Sequence, residues 1–514
     1  MLKLPTALRF AGNLVTAWAH KVVSLAVSLV VTAIAVRQFG LEQMALLILA
    51  TQVSSYAALL ELGIPTSMSR QLPQHLSSGD FGYVTKLCST CLVYLIAAGL
   101  LLGFLSPFFA YGLTHLFQID ESLHSLAIVL FAISLLGTAI GLPLRIGSGL
   151  LFSGHKFSEY FLIETISTLL RLVAVVVAVY FFNAPVWVYA IIVVLSVLPG
   201  SFVEFVIGSR SLPQCRLRRS EFSPATFKTV FSLGAASLTG TFSVTLALQA
   251  GSLILAGILP PTAVMVFALP LIISTNAMAF AAAFSGVLSP IASQLRDTDT
   301  KRIFAIARIS TKYALAIAFF VVVMAIVAGR EFIRLWLGDD AVRGATLDQM
   351  YSVLITLTVG LAVAIVGSPS RGALFSLGDH WKVALTELPF GVAGLVFGLI
   401  FGAIAKNYPL AMALSIACFV GLRGWVLYTY LAKRLGLRAD IGIFGNALVP
   451  AALSLVALKS FQVATAIDGP YSVIVSTILV AVVYVVVAFF WVFEKAHRSK
   501  ISLALRTRFS SHHR

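Results

Sequence analysis

The chain has 514 residues, of which 59% are hydrophobic and only 11% charged, with a mean hydropathy of +0.98. An ordinary soluble domain carries about 25% charged residues, so a water-soluble globular fold is excluded. In a soluble protein the net charge of +16 would set nucleic acid against anionic lipid as the partner. Here the basic residues fall between apolar runs, as the positive-inside bias of membrane proteins places them, and nucleic acid is not an expected partner.

Runs of roughly 20 apolar residues recur along the chain, each long enough to cross a ~30 Å hydrocarbon core as a helix. The expected class is an all-α polytopic membrane protein. The stretch Met1–Gly12 carries Lys3 and Arg9 and lacks a small-residue cleavage pattern, so the first apolar run reads as a retained span. Bounded by charges or by Gly and Pro, fourteen spans are expected. In the first half they lie near 14–36, 43–65, 87–110, 123–144, 157–181 and 185–207. Six more lie near 228–258, 262–289, 312–329, 349–368, 382–404 and 408–431, and two near 444–465 and 470–493. The loops after even-numbered spans, with both ends of the chain, hold 27 Lys and Arg, against 6 on the opposite side. That asymmetry expects both termini in the cytoplasm.

The sequence repeats itself at an offset of 223 positions. GLLFSGHKF at 149–157 answers GALFSLGDHW at 372–381, with Gly149, Leu151, Phe152 and Ser153 falling on Gly372, Leu374, Phe375 and Ser376. Gln71 and Leu72 fall on Gln294 and Leu295, Gly63 on Gly286, and Glu164 on Glu387. Six spans thus repeat as six spans in the same orientation, a parallel repeat about an axis along the membrane normal. The expected organisation is a six-helix lobe over 1–210, a second over 211–440, helices 13 and 14 over 441–494, and a basic tail over 495–514 lying against anionic lipid. Two such lobes suggest alternating access around a cavity near the bilayer midplane.

Three stretches resemble a known family. RQFGLEQMALLILATQVSSYAALLELGIPTSMSRQL (Arg37–Leu72), the GLLFSGHKF turn, and FIRLWLG (Phe332–Gly338) are similar to recurring segments of the Wzx-type lipid-linked oligosaccharide flippases. These polysaccharide transporters belong to the multidrug/oligosaccharidyl-lipid/polysaccharide (MOP) exporter superfamily. Glu61 stands where the family pattern has Asp as often. The resemblance implies a flippase that moves an isoprenoid-pyrophosphate-linked oligosaccharide across a bacterial cytoplasmic membrane for cell-surface polysaccharide. It also implies membrane lipids and polysaccharide polymerase machinery as partners. An ion-coupled multidrug exporter and a peptidoglycan-precursor flippase of the same superfamily are the alternatives. A membrane glycosyltransferase or polymerase would need a catalytic acid or a large extracytoplasmic loop, and the outward loops near 111–122 and 330–348 are short.

Ionisable residues inside spans are costly, so each is a functional candidate. Lys21 lies in a polar stripe with Asn13, Ser24, Ser28 and Thr32 in span 1, and span 7 has its own stripe, Ser237, Thr241, Thr245, Gln249 and Ser252. These suit a wet cavity, with hydroxyl helix packing and a snorkelling lysine as the plain alternatives. Arg171 and Arg423 sit mid-span, and a guanidinium offers paired donors to a phosphate. Glu164, seven residues before Arg171 on the same helix face, makes a structural ion pair the alternative. Arg145 and Arg371 precede the two repeated turns and can draw an anionic headgroup inward. The expected substrate-binding set is therefore Lys21, Arg145, Arg171, Arg371 and Arg423. Among the membrane acids Glu61, Glu164, Glu204 and Glu387, the first two are the expected sites for a coupling H⁺ or Na⁺. Neither a Walker A motif nor a Cys/His/carboxylate cluster with metal spacing is present. The chain is thus expected to be no enzyme and to need no cofactor beyond the coupling ion.

Overall fold

The computed structural model describes residues 4–212, 221–295, 300–339, 341–342, 344–465 and 470–492. The expected basic tail and Arg216, Arg218, Arg219 and Arg296 lie outside them. Every regular element among the described residues is helical. The first eight helices are α1 (Leu4–Ala57), α2 (Ile64–Ser78), α3 (Phe81–Leu116), α4 (His124–Leu144), α5 (Ile146–Ser153), α6 (Phe157–Val176), α7 (Val186–Leu195) and α8 (Val197–Ser211). There follow α9 (Pro224–Ala256), α10 (Pro261–Leu295), α11 (Thr300–Leu337), α12 (Ala345–Ala364), α13 (Gly367–Ser376), α14 (His380–Ala405), α15 (Tyr408–Arg434), α16 (Gly445–Thr465) and α17 (Pro470–Trp491).

Each of the fourteen expected spans falls on helix. Among the described residues twelve stretches are long and apolar enough to cross a membrane, and the first, Thr16–Glu61, holds most of two expected spans. It is broken at Gly40, whose φ of 78° and ψ of 171° suit a residue without Cβ. At 33 residues, α9 supplies the expected seventh span. The chain is a multi-pass membrane protein.

Several helices outrun their apolar stretch. The span expected over 312–329 lies inside the 38-residue α11, because hydropathy falls where the helix leaves hydrocarbon while its backbone hydrogen bonds continue. Prolines make other breaks. The span expected over 185–207 divides into α7 and α8 at Ser196, since Pro199 has no N–H to donate to the Leu195 carbonyl. The expected break after span 2 is present: Glu61 ends a 3₁₀ turn, Leu62 and Gly63 take φ of 51° and 66°, and Pro65 opens α2.

The sequence repeat reappears in the layout of elements. A long helix, a short helix ending in the shared Leu-Phe-Ser, and a new long helix occur as α4–α5–α6 and again as α12–α13–α14. The third helix of each set starts at Phe157 and at His380, and 380 minus 157 is the same 223.

The chain divides into two compact units. The first comprises Met1–Leu269, Trp336–Val342 and Glu387–Leu395. Its core joins Met68 and Leu72 of α2, Leu87 and Leu95 of α3, Leu135 and Leu142 of α4, and Leu150 of α5. Trp336 belongs to it through a 2.7 Å hydrogen bond from its indole N–H to the Leu29 carbonyl. At Gly63, a Cβ would come within 2.9 Å of the Gly234 carbonyl oxygen, so α9 meets the α1–α2 break backbone to backbone. The second unit comprises Pro270–Leu335, Arg343–Thr386 and Val396–Arg514. Within it α15 crosses α12 and α13 at Gly360–Ala417 and Gly367–Gly424, where added Cβ atoms would lie 2.3 and 2.7 Å from the facing residue. The Tyr484 hydroxyl ties α17 to α11, donating to the Ala316 carbonyl at 2.6 Å.

Candidate functional site

The first unit gathers most of the expected polar candidates. Arg145 sits in the break between α4 and α5, where Pro143, one turn after Ala139, has no N–H for the helical ladder. Its Nε lies 3.8 Å from Glu61 Oε2. The Glu61 carboxylate is presented from the 3₁₀ turn that the Gly63–Pro65 break imposes.

A second carboxyl pair lies alongside. Glu204 of α8 is 3% exposed and has Glu164 of α6 within side-chain hydrogen-bond reach, with Arg145 near enough to act on it electrostatically. Carboxylates only accept hydrogen bonds, so such a bond forms when one of the two carries a proton. Glu204 Oε1 is buried without a hydrogen-bond partner among the described residues. Tyr160, half-buried on α6, sits in the field of Glu164, Glu204, Arg145 and Glu61 together. The structure therefore makes one cluster of three carboxyls, a phenol and a guanidinium.

Small residues let the helices close around it. Gly147 of α5 lies against the α8 backbone, with room for no Cβ: one would stand 2.5 Å from Phe205 N and 2.8 Å from Glu204 C. Beside the cluster is a cavity of about 240 Å³, lined by Arg145 and by the hydroxyl residues Thr51, Ser54, Ser55, Ser134, Thr138 and Ser201. Ser54 Oγ is buried without a hydrogen-bond partner among the described residues.

The remaining candidates are more dispersed. Arg171 is half-buried on α6, near enough to Tyr189 and Glu164 to feel them electrostatically, and its Nε is buried without a hydrogen-bond partner among the described residues. Lys21 is exposed on α1. Its neighbour His20 docks α1 on α6 instead, with Nδ1 3.2 Å from Thr165 Oγ1 and its ring 5.9 Å from that of Phe161. Arg371 and Arg423 belong to the second unit. Arg371 stands over the Phe375 ring of its own helix at 5.2 Å, and Arg423 is half-buried on α15. In the span 7 stripe, Ser252 is fully buried and the Thr245 carbonyl accepts from the Tyr56 hydroxyl at 3.3 Å, which is helix packing. The side chains of Asn13, Ser237 and Thr241 lie outside the described residues.

Tyr160, His20 and the pairing of Glu204 were not singled out by the sequence pattern. Glu204 was recognisable as a membrane acid, but its partner is 40 positions away on another helix.

A family profile described as polysaccharide biosynthesis protein matches residues 13–296, over half of the chain. Comparison with curated protein sequences finds no match. Solved structures share the fold. A lipid II flippase, MurJ, in an inward closed conformation superposes with a TM-score of 0.71 at 15% identity, covering 93% of this chain and 97% of its own. An inward-facing multidrug resistance transporter of the MATE family gives 0.68 at 17% identity, covering 81% and 98%. A MOP superfamily transporter from Pyrococcus furiosus gives 0.57 at 16% identity, covering 82% and 95%. The helical architecture is thus shared with these solved membrane proteins at 15–17% identity. The chain belongs to the polysaccharide biosynthesis protein family.

Proposed function

We propose that the protein is a flippase for an isoprenoid-pyrophosphate-linked oligosaccharide, working by alternating access in a bacterial cytoplasmic membrane with both termini in the cytoplasm. The observation that carries this reading is the state of Arg145. It lines the hydroxyl-bearing cavity and reaches Glu61 only at 3.8 Å, beyond the 2.7–2.9 Å typical of a charge-assisted hydrogen bond. Its planar fork thus keeps donors for phosphate oxygens, while the hydroxyls offer the donors and acceptors that a sugar or water needs. The family match favours a sugar-linked substrate. The MurJ match, spanning 93% of the chain against 81% for the multidrug transporter, favours a lipid-linked one.

Coupling follows from the same cluster. A phosphate arriving at Arg145 competes with Glu61 for the guanidinium. A carboxylate losing its cation binds a proton more readily, and Glu164 and Glu204 stand beside it to exchange that proton. Substrate entry and proton movement are then linked through one arginine. Membrane lipids and the polymerase that extends the translocated unit are the proposed partners, and no nucleic acid is involved.

The test is complementation of a bacterium lacking its own oligosaccharide flippase, scored by surface polysaccharide at matched expression. Rescue by the parent and loss in Arg145→Ala supports the reading. Parental rescue with full activity in both Arg145→Ala and Arg171→Ala moves the headgroup site elsewhere. A parent that fails to rescue but confers drug resistance favours the exporter.

A further inference from the structure

The second unit holds a cavity of about 680 Å³ unrelated to the polar cluster. It lies along α12 and α15, with Val359, Val363, Leu414, Leu422, Trp425 and Phe444 in its wall. Val359, Leu414 and Leu422 are 39%, 49% and 53% exposed, so it opens sideways onto the surface that faces lipid. Its volume falls in the range of built ligand sites, about 300–1,000 Å³, and is more than a seam between helices needs. The groove follows from the small residues at the crossing. Gly360 packs on Ala417 and Gly367 on Gly424, so the two backbones touch and the larger side chains beside them splay apart. The wall offers a ligand nothing polar of note: the Thr356 hydroxyl is spent on the Ser352 carbonyl at 2.8 Å.

One end of the groove is aromatic and then cationic. Trp425 and Phe444, 5.8 Å apart, form this end of the wall, and beneath Trp425 the buried Tyr428, 5.7 Å away, stacks on the buried Phe304 at 5.9 Å. One turn beyond Phe304 on α11 is Arg308, ion-paired with Asp440 and 56% exposed at its side chain. Arg438, also exposed, is two residues from Asp440. An apolar trough ending in an aromatic collar beside two arginines has the polarity profile of a lipid: hydrocarbon, interface, anionic headgroup.

We propose that this groove is a resident site for one anionic phospholipid of the surrounding bilayer, with an acyl chain along α12 and α15 and its phosphate at Arg308 and Arg438. A guanidinium has five N–H donors, so Arg308 holds the phosphate without releasing Asp440. This lipid is not the transported substrate, and the site stands whether or not the flippase reading does.

The experiment is native mass spectrometry of the purified full chain, titrated with phosphatidylglycerol or with phosphatidylcholine bearing the same acyl chains. The parent should retain phosphatidylglycerol preferentially. Arg308→Gln and Arg438→Gln should each cut that preference about fivefold and leave phosphatidylcholine retention as it was. Val359→Trp, which fills the trough, should lower retention of both, and Leu414→Trp should repeat the result if Val359→Trp yields no folded protein. Equal retention of the two lipids by the parent overturns the proposal, as does unchanged retention in the tryptophan variants. Displacement of phosphatidylglycerol by an equal concentration of a polyprenyl phosphate overturns it too, by making the groove a substrate site.

Discussion

Gly147 of α5 rests directly on the main chain of Glu204 in α8. An added Cβ would stand 2.8 Å from the Glu204 carbonyl carbon and 2.5 Å from the following nitrogen, and neither backbone can yield without moving its helix. Gly147→Ala is therefore expected to destabilise the first unit by about 1–3 kcal/mol, the usual cost of overpacking. Gly141→Ala is the control, since its new methyl meets only Leu198 Cδ2 at 3.6 Å. Alanine at that helix position should be neutral or better by about 0.5–1 kcal/mol. Thermal unfolding in detergent checks both, and equal melting temperatures would remove the claim that this contact positions Glu204.

The pairing of Glu204 with Glu164 gives a second prediction. If the two carboxyls exchange the coupling proton, Glu204→Gln keeps the shape and one hydrogen bond but ends the exchange. Substrate-driven proton movement in proteoliposomes should fall to background, while the variant stays folded. Glu164→Gln should behave alike, and the double variant should be no worse than either, because two residues acting as one unit are not additive. Independent, additive losses would mean that the two acids work separately.

The sequence made the spans legible because hydropathy depends on composition alone, and each expected span lies on helix. It also exposed the repeat, whose offset matches the starts of α6 and α14. Interruptions were less legible. Gly63 and Pro65 announce a break by residue type, whereas Pro199 lies inside an apolar run that a span-length window averages over. The site was read in part. Glu61 and Glu164 stood out because charge inside an apolar run is rare, and Arg145 because it precedes the repeated turn. Their partnership with Tyr160 and Glu204 depends on how α5, α6 and α8 pack, which turns on glycines whose role a linear pattern does not carry. Lys21 drew attention by the same rarity and proves to be exposed, with the quieter His20 making the helix contact.

In the second unit, Asp379 joins the turn after α13 to the end of α15. It is 8% exposed and bonded to Lys382 Nζ and Arg434 Nε, each at 3.0 Å. Burial alone would raise its pKa, but the hydrogen bonds from Lys382 and Arg434 outweigh burial and hold the carboxyl below its ordinary value. A depressed folded-state pKa gives stability that is present above the unfolded value, about 3.9, and is lost as pH falls through the folded one. Asp379→Asn should therefore lower the melting temperature at pH 7 by about 2–4 °C. The gap to the parent should close as pH drops below about 4. A gap independent of pH would show that packing, not charge, is what Asp379 contributes.

Arg145 and Glu61 separate a structural ion pair from a substrate site. Their side chains are 45% and 32% exposed and 3.8 Å apart, a geometry worth about 0–1 kcal/mol. Breaking the pair should barely change stability, so a large loss of transport in Arg145→Ala cannot come from unfolding. Losing a charged hydrogen bond to a phosphate costs about 1.5–3 kcal/mol, so transport should fall about 10- to 100-fold. Arg145→Lys should recover only part of it, because a lysine keeps the charge but not the paired donors. The charge-reversed double variant, Glu61→Arg with Arg145→Glu, is the sharper case. It restores the attraction across the same gap but moves the guanidinium off the cavity wall. Parental melting with transport still lost places the function of Arg145 in what it holds besides Glu61. Full recovery of transport in the reversed pair would reduce Arg145 to one half of an ion pair.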